Sequence, residues 1–168
     1  ATLAMVQPPM ILCVTLNPCL DKTLTVPAWR PGDLVRGRST RDVVGGKGNN
    51  VARALKRLRR DPKPATFLGG AVGETCRALL KEADGLEPTA VATAAPARVI
   101  LTVSTEGTAE QTAFFDPDPA VTAAEADELV AQVERALAGP GVEALTLSGS
   151  SPSSATHGVY SEMISLAK

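Results

Sequence analysis

The sequence predicts an α/β fold: a mostly parallel sheet flanked by helices, with a small β-sheet lid. Two observations carry this. Short apolar runs suited to strands buried on both faces alternate with amphipathic helical stretches. Two other stretches, about 23–44 and 98–115, have polar alternation and read as antiparallel hairpin material that fits no buried parallel sheet. Those two are expected to pair into a separate small sheet that covers a site.

The elements follow in order. Met10–Leu16 is a nearly continuous apolar run and reads as a buried strand that Asn17-Pro18 ends. Thr23–Val26 alternates and stops at Pro27, and Leu34–Val44 alternates more loosely. Asn50–Arg60 reads as a helix with Val51, Ala54, Leu55 and Leu58 on its inner face. Ala65–Leu68 is a second buried strand, closed by Gly69-Gly70. Glu74–Ala83 is a helix that Gly85 stops. Arg98–Thr105 and Gln111–Phe115 flank a turn at Glu106-Gly107-Thr108. Thr122–Ala138 carries a capping box, Thr122 with Glu125, and an apolar stripe that includes Leu129, Val130 and Val133. Ala144–Leu147 is a short strand, and Thr156–Ala167 a closing helix. Residues 1–9 are expected to be an unstructured or cloning-derived lead.

Composition narrows the function classes. At 168 residues, with 44% hydrophobic and 21% charged side chains, the chain can build one globular domain with a sizeable core. No apolar run approaches the ~20 residues of a membrane helix, so a membrane partner is not expected. Cys13, Cys19 and Cys76 have no Cys-x-x-Cys spacing, which argues against a zinc site and fits a reducing cytoplasm. The net charge of −1 is uneven: residues 21–63 hold twelve Lys/Arg against four Asp/Glu, which suggests a region that meets anions. Arg53, Lys56, Arg57, Arg59 and Arg60 are expected to solvate a helix face. Trp29 is the only aromatic stacking candidate in that region, so nucleic acid is not an expected partner.

The run Gly45-Gly46-Lys47-Gly48-Asn49-Asn50 lies between strand-like sequence and a helix. Its glycines let a ligand approach the backbone, its lysine offers a positive charge, and the helix start aims free N–H groups at the same place. It is no Walker P-loop, because Arg41 stands where the first glycine would be and Gly48 follows Lys47. It is no dinucleotide fingerprint either, since Val51 occupies the third glycine position. Asn17-Pro18-Cys19-Leu20-Asp21 and Ser148-Gly149-Ser150 each follow a strand, where open α/β sheets bind ligands. Asp21 could accept hydrogen bonds from hydroxyls; the plainer reading is a turn residue. The lone His157 is read as an ordinary helix or loop residue.

In order, Asn17-Pro18-x-Leu20-Asp21, Gly45-Gly46-Lys47-Gly48-x-Asn50-x-Ala52, Phe67-Leu68-Gly69-Gly70 and Ser148-Gly149-Ser150-x-Pro152 resemble the ribokinase-like carbohydrate kinases of phosphofructokinase B type. The look is nearest to the branch of 1-phosphofructokinase and tagatose-6-phosphate kinase. The resemblance implies a kinase that transfers phosphate from ATP, with Mg²⁺, to a ketohexose phosphate in the cytoplasm. It implies that Asp21 holds sugar hydroxyls, that Gly46 and Asn50 contact the sugar, and that Ser150 lines its pocket. Lys47 and Arg98 would meet the phosphate the sugar already carries. The two hairpin stretches resemble a lid that closes over substrate and forms a homodimer contact.

There are departures. Ser151-Pro152-Ser153-Ser154 lacks the glycine that ends the family's turn, and Arg59-Arg60-Asp61-Pro62-Lys63-Pro64 replaces a Leu-Gly turn. No second phosphate-facing arginine stands near Thr112–Ala113. The family's Gly-Ala-Gly-Asp loop, with its general base, has no match in this chain. The match is to the N-terminal half, so the expectation is a truncated fold. The general base, the ATP pocket and the Mg²⁺ motif are expected beyond Lys168, leaving the chain inactive alone. The competing expectation is a non-catalytic module that binds a sugar phosphate or dimerises.

Overall fold

A computed structural model of the chain describes residues 9–168. The expected lead over residues 1–9 therefore lies outside the described residues, apart from Pro9. The chain folds as two four-stranded sheets. The first is parallel, in the order β5-β4-β1-β8, from β1 (Met10–Thr15), β4 (Asp61–Phe67), β5 (Thr89–Val91) and β8 (Val142–Leu147). Alternation along β1 divides the core. Leu12 and Val14 pack with α3 (Ala123–Leu137) and α4 (Val159–Leu166). Cys13 packs on the other face with α1 (Lys47–Arg57) and α2 (Gly70–Glu82). A short 3₁₀ turn, Ser154–Thr156, precedes α4.

The second sheet has the order β3-β2-β6-β7, from β2 (Cys19–Val26), β3 (Ser39–Gly45), β6 (Arg98–Thr105) and β7 (Gln111–Phe115). Two antiparallel ribbons are joined by a parallel pairing of β2 with β6. The expected small sheet thus exists, and β2 begins at Cys19 rather than Thr23. Asp21 is a residue of β2, not of the turn after Pro18. The sheet is rooted in the core by Leu20, Val44 and Val99 on one face.

Several boundaries differ from expectation for physical reasons. β4 starts four residues before Ala65 and contains Pro62 and Pro64. Leu68 N–H donates to Val91 O of β5, so even-numbered positions face that side, and β5 pairs only from Ala65 onward. Both prolines therefore place their missing donors where no strand needs one. α1 is rotated from the expected phase: Gly48 and Ala52 are buried, Val51 and Leu55 half-buried, and Ala54 and Leu58 exposed. A Cβ on Gly48 would lie 2.7 Å from Val14 C, so the helix sits closer to β1 than its apolar residues suggest. α2 starts at Gly70, and β5 was not foreseen. The Thr122–Glu125 capping box is present as read.

At the end of α1, Arg59 takes φ 58, the one non-glycine positive φ among the described residues. Arg60 N–H donates to Leu55 O at 3.0 Å and Arg59 N–H to Lys56 O at 3.0 Å, closing the helix as a Schellman turn. An arginine thus occupies the position where glycine would be unstrained.

Candidate functional site

The six residues singled out in the sequence, Asp21, Gly46, Lys47, Asn50, Arg98 and Ser150, line a single cavity of about 600 Å³. It lies between the C-terminal ends of the parallel strands and one face of the second sheet. That face is dictated by register. Cys19 pairs with Gly45 and Arg98, and Asp21 with Val43 and Ile100. Every second residue of β2, β6 and β7 therefore points inward. On the returning strand β7 these positions are Gln111, Ala113 and Phe115, so that wall carries no cation.

The glycine run is the floor. Gly46, at φ 104 and ψ 135, caps α1 in a conformation that side chains avoid. A Cβ there would also stand 2.6 Å from Thr15 Cγ2. Asn49 is fully buried and its Nδ2 donates to Gly45 O at 2.9 Å, which ties the start of the helix to the end of β3. No side chain caps α1 and no acidic residue lies in its first turn. Its dipole end thus stays positive beside the cavity. Lys47 is exposed there, and a Cβ on Gly149, from the loop after β8, would pack 3.4 Å from Lys47 Cβ.

Each remaining side chain is held by a partner the sequence did not announce. Cys19 Sγ donates to Asp21 Oδ1 at 3.4 Å. Burial, followed by the Asp21 charge, pushes the Cys19 thiol up to about 12, so it remains a donor at neutral pH. Arg98 Nη1 donates to Asp118 Oδ1 at 2.7 Å. The same carboxylate oxygen accepts from Asn17 Nδ2 at 2.9 Å, and Asn17 Nδ2 also reaches Ser150 Oγ at 3.2 Å. Thr15 Oγ1 and Asn17 Oδ1 are buried at the cavity wall without a protein partner. Asn50 Oδ1 accepts from Arg53 Nη1 at 2.8 Å.

Arg53 corrects the reading of a solvated basic face. It forms a two-pronged ion pair with Asp84, Nε to Oδ1 at 2.8 Å and Nη2 to Oδ2 at 2.9 Å. The side chains are only 17% and 15% exposed. Lys56, Arg57, Arg59 and Arg60 are exposed, in line with expectation, and so is His157.

Chemically, the cavity brings the Asp21 carboxylate together with Lys47, a helix N-terminus and Arg98, whose charge is already paired with Asp118. It suits a ligand with hydroxyls at one end and an anionic group at the other. Among the described residues no group of three or more His, Cys, Asp or Glu side chains is placed to hold a metal ion. No helix among them is long and apolar enough to cross a membrane.

Residues 14–168 match the family model of pfkB family carbohydrate kinases. Over 130 residues the chain is 35% identical to an ATP-dependent 6-phosphofructokinase isozyme 2 of Mycobacterium tuberculosis, covering 77% of this chain and 38% of the relative. Phosphofructokinase-2 from Escherichia coli, solved in complex with fructose-6-phosphate, superposes with TM-score 0.81 at 30% identity, over 96% of this chain and 52% of that one. A possible 1-phosphofructokinase from Thermotoga maritima superposes with TM-score 0.83 at 28% identity, over 94% and 50%. The chain thus spans about half the length of these solved relatives and less of the curated one.

Proposed function

The chain belongs to the pfkB family of carbohydrate kinases, and from that premise we propose that it supplies the sugar-phosphate-binding half of a ketohexose-phosphate kinase. One observation carries the reading: six residues from four separate segments converge on one cavity that brings a carboxylate and two basic side chains together. Asp21 accepts hydrogen bonds from sugar hydroxyls, Gly46 lets the sugar approach the backbone, and Asn50 and Ser150 complete the polar contacts. Lys47 and Arg98 bind the phosphate already on the sugar. Fructose 6-phosphate is the first candidate, because the Escherichia coli relative was solved with it. Fructose 1-phosphate and tagatose 6-phosphate are the alternatives.

In such a kinase ATP supplies the phosphoryl group and Mg²⁺ neutralises its charge. The residues of this chain do not fit those groups: it has no Gly-x-Gly-Asp loop and, among the described residues, no metal-ligand cluster. Its side chains therefore bind and orient the acceptor, and no transfer step is assigned to them. Residues 10–168 act as one unit with lid segments at about 23–44 and 98–115. The exposed Phe114, on the face of the lid turned away from the cavity, supports a homodimer through it. The three free thiols suit a reducing cytoplasm.

Calorimetry with the three sugar phosphates tests the reading. Lys47→Ala should weaken binding more than tenfold, and unchanged affinity would remove Lys47 from the site. The chain alone should turn over no ATP. Light scattering that shows a dimer, with no binding of any of the three ligands, would favour a dimerisation module instead.

A further inference from the structure

We infer that Arg53 is a positioning residue that fixes Asn50 as a hydrogen-bond donor toward the cavity, an inference that rests on the sugar-phosphate reading above. Asn50 is exposed, and a surface asparagine ordinarily presents either end of its amide. Here the choice is settled by chemistry. A guanidinium carries donors only, so the Asn50 atom 2.8 Å from Arg53 Nη1 must be the carbonyl oxygen. The –NH₂ group then points away from Arg53, and among the described residues it has no side-chain hydrogen bond of its own.

The guanidinium is itself held in plane. Asp84 takes Nε and Nη2 together, and Nη2 also donates to Val44 O at 2.8 Å. Three segments are thus tied through one side chain: the end of β3 before the glycine run, the first turn of α1 at Asn50, and the segment after α2. Little exposure of the pair limits solvent screening, and the fork geometry fixes the plane as a point charge could not. The consequence for ligand class is direct. The group that meets Asn50 must accept, as a sugar hydroxyl lone pair or a phosphate oxygen does; an ammonium or other pure donor is rejected there.

The test uses this chain and fructose 6-phosphate. The Asn50 side-chain amide signal, identified by its loss in Asn50→Ala, is followed by ¹H–¹⁵N spectroscopy, with affinity measured by calorimetry. Arg53→Lys keeps the charge but loses the fork. It should shift the Asn50 amide toward free-asparagine values and weaken binding roughly tenfold, equivalent to about 1.4 kcal/mol. In the Asn50→Ala background the same change should cost little more, because its effect runs through Asn50. An unmoved amide signal in Arg53→Lys, or a full added cost on Asn50→Ala, overturns the inference. Should Arg53→Lys fail to fold, Asp84→Asn carries the same two measurements with a near-isosteric neutral partner. If the wild-type chain binds none of the three sugar phosphates, the functional reading falls. The amide signal still decides the role of Arg53.

Discussion

Gly45→Ala probes the site through its most crowded point. Gly45 ends β3 opposite Cys19, and its φ is not among the positive values, so alanine is acceptable to the backbone. Space is what it lacks. A Cβ would stand 2.5 Å from Cys19 Sγ and 2.7 Å from Asp21 Cγ. Ordinary carbon contacts lie at about 3.5–4.0 Å, so the Asp21 carboxylate must retreat by roughly 1 Å and release the Cys19 thiol. Losing hydrogen bonds from a ligand to a charged group costs about 1.5–3 kcal/mol, on the order of 10- to 100-fold in affinity, and overpacking of this kind costs about 1–3 kcal/mol of stability. Calorimetry with fructose 6-phosphate and urea unfolding measure the two effects separately. In an Asp21→Ala background the clash with the carboxylate is gone and only the contact with Cys19 Sγ remains, so the affinity loss from Gly45→Ala should be much smaller there. Wild-type affinity in the single variant, or a full loss in the double, would refute the claim that Gly45 acts by leaving space for Asp21.

Two further outcomes follow from geometry and titration. Arg59→Gly relieves a left-handed arginine and should stabilise the chain by about 1 kcal/mol, raising the melting temperature by roughly 2–4 °C; an unchanged or lower midpoint contradicts the strain. Burial pushes the thiols of Cys19 and Cys76 up to about 12, whereas an unfolded thiol titrates near roughly 8.5. The unfolded chain loses those protons first, so stability is full below about pH 8.5 and falls as pH rises toward 12, by at most about 1.4 kcal/mol per unit for each thiol. Urea midpoints across that window should fall less steeply for Cys76→Ala, and an identical slope would count against the buried thiol.

Much of the fold was legible because its signals are local. The capping box of α3 and the apolar run of β1 need only a few neighbouring residues to be read. The errors share a cause too. β5 is three residues long and paired only with the end of β4, so its sequence carries almost no pattern. Pro62 and Pro64 read as a turn, because whether a missing donor matters depends on which side of β4 has a neighbour. The phase of α1 was misjudged because small residues, not large ones, face β1.

The site shows the same division more sharply. Of the six residues singled out, Gly46, Lys47, Asn50 and Ser150 fall in short segments after strands, whereas Asp21 and Arg98 lie within β2 and β6, and Arg98 was named through the family resemblance alone. The groups that hold them come from far along the chain: Asn17 meets Asp118 and Ser150 across 101 and 133 residues, and Arg53 meets Asp84 across 31. Spacing says nothing about such pairs. One of them nonetheless left a trace. Asp84 directly follows Ala83, the C-cap of α2, where the helix dipole disfavours a negative charge. An acidic residue in that position calls for a cation, and Arg53 supplies it from across 31 residues although Lys81 is nearer in sequence. Arg53 differs from the other basic residues of its stretch: it has a half-buried partner to answer, and through it Asn50 is aimed.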